Sequence, residues 1–110
     1  MLVELSIIPL GGNSHLSGEI AKALDLIDSS GLRYQLTASA TLIEGEWDEV
    51  MPVIRRCHER LRESSSHLII NIKIEDDAGE SNKLRRNVAS VEEKVGRPLK
   101  SAVVSSSEKR

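Results

Sequence analysis

The stretch YQLTASATLIEGEW, Tyr34–Trp47, decides how the rest of the chain is assembled. From Tyr34 onward it is rich in β-branched residues, alternates in polarity and carries no charge until Glu44, just before Gly45. One strand over the twelve residues from Tyr34 to Gly45 would span about 40 Å, where strands usually run roughly five or six residues. The stretch therefore reads as a hairpin. Turning at Ser39-Ala40, it pairs Leu36 with Ile43, Thr37 with Leu42 and Gln35 with Glu44. That register puts Tyr34, Leu36 and Ile43 on one face and Gln35, Thr37, Leu42 and Glu44 on the other. Neither Gly nor Asn stands at the turn, although tight hairpins favour both.

Upstream, Leu2 to Ile8 alternates as a strand that Pro9 and Gly11-Gly12 stop. Asn13 or Ser14 can cap a helix in which Leu16, Ile20, Ala23/Leu24 and Ile27 recur at helical spacing, and Gly31 closes it. Downstream, a helix from about Asp48 to Arg62 carries Val50, Val53/Ile54, Cys57 and Leu61 as its stripe. Pro52 is tolerable there if it falls in the first turn. His67 to Glu75 is the clearest strand, with Leu68, Ile70, Ile72 and Ile74 in phase. A final helix, Ser81 to Val95, is ended by Gly96 and Pro98. The order β-α-β-β-α-β plus a C-terminal helix predicts an α+β, ferredoxin-like antiparallel sheet with two helices on one face. Residues 1–98 form that domain, and residues 99–110, Ser-rich, are expected to be a disordered tail. The other sheet face mixes aliphatics with Glu4, Ser6, Gln35, Glu44 and Lys73, the make-up of a subunit interface or a small-ligand floor.

Composition narrows the function. Among 110 residues there is no Phe, one Tyr and one Trp, so base stacking on nucleic acid has no platform. The formal charge of −2 leaves no basic footprint. A single cysteine, Cys57, fits a reducing compartment and lies in a helix stripe as a small hydrophobe. The N-terminus carries Glu4 and no basic region, and no apolar run approaches the ~20 residues that span a bilayer, so a cytoplasmic protein without a membrane partner is expected. His15, His58 and His67 lack metal-ligand spacing, and no nucleophile has a recognisable context. The glycine-rich GGNSHLSG opens a helix but lacks the Walker lysine. The residues offer no catalytic constellation, metal site or cofactor site.

Taken together, ELSIIPLG, GLRYQLT, TLIEGEWDEVM, RRCHE, IKIEDD and SVEEKVG resemble the small thiamine-binding proteins of bacteria, archaea and yeast. The resemblance runs from about Val3 to Gly96. It implies a ferredoxin-like fold, a homotetramer, and non-catalytic binding of thiamine or its hydroxymethylpyrimidine moiety. Ser14 and Ser17 match the family's hydroxyl positions after the first strand; Tyr34, Thr37, Thr41, Glu44 and Gly45 match its hairpin pattern. The candidate ligand-binding set is Ser6, Ser14, Tyr34, Thr37 and Glu44, with Glu44 holding the aminopyrimidine and the hydroxyls orienting it. The chain departs from the family where members commonly carry Pro-Met-Gly and it has Ala38-Ser39-Ala40. The alternative reading is a regulatory or scaffolding module that works through protein contacts.

Overall fold

The structure, a computed structural model, describes residues 1–10 and 16–101. In chain order these form β1 (Leu2–Leu10), α1 (Leu16–Ser29), β2 (Arg33–Leu36), β3 (Thr41–Glu44), α2 (Trp47–Arg62), β4 (His67–Glu75) and α3 (Lys83–Val95). The sheet order is β2-β3-β1-β4, and every neighbouring pair is antiparallel. The β1-α1-β2 and β3-α2-β4 connections each step over a strand, which makes this the ferredoxin-like fold.

Alternation sorts the side chains. Val3, Leu5, Ile7 and Ile43 turn toward α1 and α2, where they are buried with Ala23, Ile27, Val50, Val53, Ile54, Cys57 and Leu61. With no Phe in the chain, branched aliphatics and small residues fill the core. Leu2, Glu4, Ser6 and Ile8 turn to the opposite face, opposed across β4 by Glu75, Lys73, Asn71 and Ile69. Lys73 there pairs with Glu4 at 3.5 Å.

The hairpin differs from its sequence reading by a slip along the strands. Leu36 faces Thr41, Gln35 faces Leu42 and Arg33 faces Glu44, so the turn centres on Ala38-Ser39 rather than Ser39-Ala40. The faces are unchanged because the slip preserves the alternation. The closure also explains why no glycine is needed. Thr37 N–H donates to Ala40 O at 2.9 Å, as in an ordinary hairpin. The return amide, Ala40 N–H, donates instead to Thr37 Oγ1 at 3.1 Å. The hydroxyl in turn donates to Ala40 O at 2.8 Å. A side chain replaces a backbone carbonyl, and none of residues 38–40 adopts a positive φ.

Gly45 has a different reason to be glycine. A Cβ there would lie 3.0 Å from Val50 Cγ2 and 3.2 Å from Glu49 Oε1. Glu49 Oε1 is already occupied, accepting the Glu46 N–H at 2.8 Å where α2 begins. Because α2 starts at Trp47, Pro52 is its sixth residue rather than part of the first turn. It therefore forgoes one helical hydrogen bond, and the buried stripe of Val50, Val53, Ile54, Cys57 and Leu61 holds the helix regardless.

The larger difference is at α3. Asn82, at φ 67°, turns the chain so that the helix starts at Lys83 and its first turn lies over the open face of the sheet. Leu84 is buried against it, while Val91 and Val95 project into solvent. Downstream, Leu99 N–H donates to Glu92 Oε2 at 2.6 Å, so the chain is tied back to α3 as far as Leu99. The rest of the expected tail, from residue 102, lies outside the described residues, as do Gly11-Gly12 and the expected caps Asn13 and Ser14.

Candidate functional site

At the hairpin end of the sheet, on the helix side, the core is incomplete. Leu5–Ile8 of β1, the inner side of α1 from Leu16 to Ile27, and the hairpin tip 36–41 enclose a cavity of ≈ 260 Å³. The sequence explains the gap. The residues that meet there include Ala23, Ala38, Ala40 and Thr41, and no aromatic ring bridges helix to sheet. Native interiors are packed densely enough that such a space is seldom left without an occupant. Its size is near the lower end for ligand pockets, that of a single small ring with short substituents.

The walls are aliphatic, and none of the described lining residues is ionised. Their hydroxyls have separate positions. Ser6 contributes to the wall, but its Oγ is on the other face of the sheet, 3.5 Å from Asn71 Nδ2. Thr37 Oγ1 is used up in closing the turn. Ser39 is exposed at the tip. Thr41 sits two residues before Ile43 and so points to the helix side, between Leu5 and Leu36. It is 5% exposed, and its hydroxyl makes no hydrogen bond to a described residue.

The candidate set from the sequence is thus divided. Ser6 and Thr37 line the cavity, and Ser14 lies outside the described residues. Tyr34 packs against the core, and its hydroxyl donates to Asp28 Oδ1 at 2.7 Å. That hydrogen bond, with partial burial and the charge of Asp28, raises the phenol above its usual pKa. Glu44 is at the far end of β3, about 10 Å along the strand from Thr41.

There the carboxylate is 6% exposed beneath α3. Oε2 accepts the Leu84 N–H at 3.3 Å, at the N-terminus of that helix, where the dipole favours a negative charge. Oε1 makes no hydrogen bond but has Arg33 Nη2 at 3.6 Å, a charge contact without hydrogen-bond geometry. Arg33 also donates to Asn82 Oδ1. Lys83 adds contacts to Asp77 at 2.8 Å and Glu75 at 3.6 Å. The acid that ends β3 faces the open side of the sheet, as its phase predicts, and there it fastens α3.

Sequence reasoning left Thr41 out of the site. The signal that could have found it was its phase: a hydroxyl in step with Ile43 must point into the core. It also missed buried Glu19, which meets Lys22 at 2.9 Å and Ser64 Oγ at 2.5 Å and joins α1 to the end of α2.

The fold and cavity together define a ferredoxin-like domain with a small, largely apolar cavity between sheet and helix. Comparison with known proteins makes this specific. The profile of the family described as thiamine-binding protein matches residues 3–92, and the chain belongs to that family. A UPF0045 protein of Methanothermobacter thermautotrophicus is 35% identical over 84% of this chain and 96% of its own length. A second, from Bacillus subtilis, is 31% identical over 82% of this chain and 92% of its own. Among solved structures, a hypothetical protein of Methanocaldococcus jannaschii superposes with a TM-score of 0.76 at 25% identity, covering 84% of this chain and 95% of that one. A Thermotoga maritima protein, provisionally assigned to thiamine biosynthesis/salvage, superposes at 0.73 with 23% identity over 82% and 96% of the two chains. At that identity it supports the fold alone. No described helix is long and apolar enough to cross a membrane.

Proposed function

We propose that this protein binds thiamine or the aminopyrimidine from which thiamine is made, without catalysing a reaction on it. The observation that carries the reading is the cavity: ≈ 260 Å³, aliphatic walls, no ionised group among its described lining, and one inward hydroxyl. Such a space suits a neutral ring. The thiazolium half of thiamine is a cation, and burying it there without a counter-charge would be costly, so the pyrimidine enters and the thiazolium stays at the mouth. Trp47 is exposed at the start of α2 and Tyr34 is held by Asp28, so neither stacks on the ring. Aliphatic contact supplies the affinity.

The working form is a cytoplasmic homo-oligomer, a tetramer by resemblance to the family. Ile8 and Ile69 on the open sheet face, and Val91 and Val95 on α3, are exposed and apolar. A second copy related by a two-fold axis would bring the same apolar groups against these and cover both sets at once. Isothermal titration with thiamine and, separately, with 4-amino-5-hydroxymethyl-2-methylpyrimidine tests the binding. Saturable heat near one site per chain with the free pyrimidine supports it. An oligomer that takes up neither compound instead favours a scaffolding module acting through protein contacts.

A further inference from the structure

We infer that the Thr41 hydroxyl is the group that reads the polar edge of a ring bound in the cavity, and so determines which rings the protein accepts. This deepens the binding proposal above and takes from it only that the cavity holds a ring. The argument is one of elimination among named donors and acceptors. Of the hydroxyls in the wall, Ser6 Oγ faces the other side of the sheet, Thr37 Oγ1 is committed to the turn, and Ser39 is at the exposed tip. Both backbone groups of Ala40, the tip residue next to Thr41, are committed too. Ala40 O receives both the Thr37 amide and the Thr37 hydroxyl, and Ala40 N–H donates to Thr37 Oγ1. Among the described residues, Thr41 alone combines burial, an inward phase and a hydroxyl with no described partner.

The Thr41 hydroxyl makes no hydrogen bond to a described residue, and valine, of the same shape, would fill the position in the fold equally well. A hydroxyl there is useless to the empty domain and useful to a ligand that brings a partner for it. The same group both donates and accepts, so it can meet either a ring nitrogen or an exocyclic amino group. A site built on such a hydrogen bond rejects rings that lack the matching atom, because they leave the hydroxyl buried and unpaired.

The test uses Thr41→Val and Thr41→Ser beside the wild-type chain, with two sets of probes. For the empty proteins, Thr41→Val should melt at or above the wild-type temperature. Against 4-amino-5-hydroxymethyl-2-methylpyrimidine, Thr41→Val should bind about tenfold more weakly and Thr41→Ser within about threefold of wild type. The second set is phenol and toluene, rings of similar size that differ in one hydroxyl and do not depend on thiamine being the ligand. The ratio of phenol to toluene affinity should fall about tenfold from wild type to Thr41→Val. An equal ratio in the two proteins, or uptake of neither ring, overturns the assignment whatever thiamine does. A clear loss of melting temperature in Thr41→Val overturns it as well, since the hydroxyl would then serve the fold. If the ratio falls as expected while both thiamine and the pyrimidine fail to bind the wild type, the role of Thr41 stands and the choice of ligand is what fails.

Discussion

Replacing Glu44 by Gln keeps the shape of the side chain and removes its charge, which separates fastening α3 from holding a ligand. A hydrogen bond to a charged group contributes about 1.5 to 3 kcal/mol at ordinary length. The Leu84 N–H contact is 3.3 Å, beyond the usual range, so its value falls toward or below the lower end. Arg33 is 61% exposed on its side chain and stands 3.6 Å away, so solvent screening leaves it well under about 1 kcal/mol. Oε1 is buried without a hydrogen bond, so relief of desolvation in the neutral variant offsets part of the loss. The net cost is about 1 kcal/mol, a roughly fivefold shift toward undocked α3. Hydrogen exchange read by mass spectrometry should show the amides of Asn87 and Val88 exchanging about five times faster, with those of β1 and β3 slowed or quickened by less than about twofold. Affinity for the pyrimidine should stay within about twofold, because the cavity lies about 10 Å along β3. A tenfold loss of affinity with α3 exchange unchanged would refute this reasoning and return Glu44 to the ligand site.

Three other outcomes are expected. Thr37→Val removes the hydroxyl that closes the hairpin, leaves the Ala40 amide unpaired and should cost about 1 to 2 kcal/mol in urea unfolding; a change under about 0.3 kcal/mol would show that the turn closes without it. Burial pushes the Cys57 thiol up to about 11 from 9.0. The unfolded chain therefore loses the thiol proton first, so this contribution to stability is intact below pH about 9 and is lost as pH rises toward 11; melting temperatures of wild type and Cys57→Ala, compared from pH 8 to 11, should converge if the assignment holds. Light scattering at micromolar concentration should give a mass above that of one chain, and replacing Ile69 and Val91 by Lys should reduce it; a wild-type monomer would exclude the interface.

The architecture was legible because it depends on alternation and helical spacing, which local sequence carries in full. The nine residues of β4 were placed at their observed ends because four branched aliphatics in phase mark one face, from which Leu68, Ile70 and Ile74 pack on the core while Ile72 stays exposed. The hairpin's existence followed from length, but its register did not. A turn closed by a threonine side chain carries none of the Gly or Asn signals that mark backbone-closed turns. The site was less legible. Glu44 drew attention as an acid ending an uncharged strand, yet what it meets is set by α3, forty residues later in the chain. Thr41 matched the hairpin pattern of the resemblance but stayed out of the candidate set, because a hydroxyl between Ala40 and Leu42 is unremarkable until its face is known. Phase locates a side chain on a sheet, but only packing shows whether its space is filled.

The way the hairpin closes has a consequence for how this protein can change. Since Thr37 fixes the turn and no residue at the tip needs a positive φ, Ala38 and Ser39 are released from conformational duty. Both border the cavity. Substitution at either can reshape the rim without refolding the strands behind it, so the chain keeps its scaffold constant and its entrance adjustable. A turn built on glycine would have coupled the two.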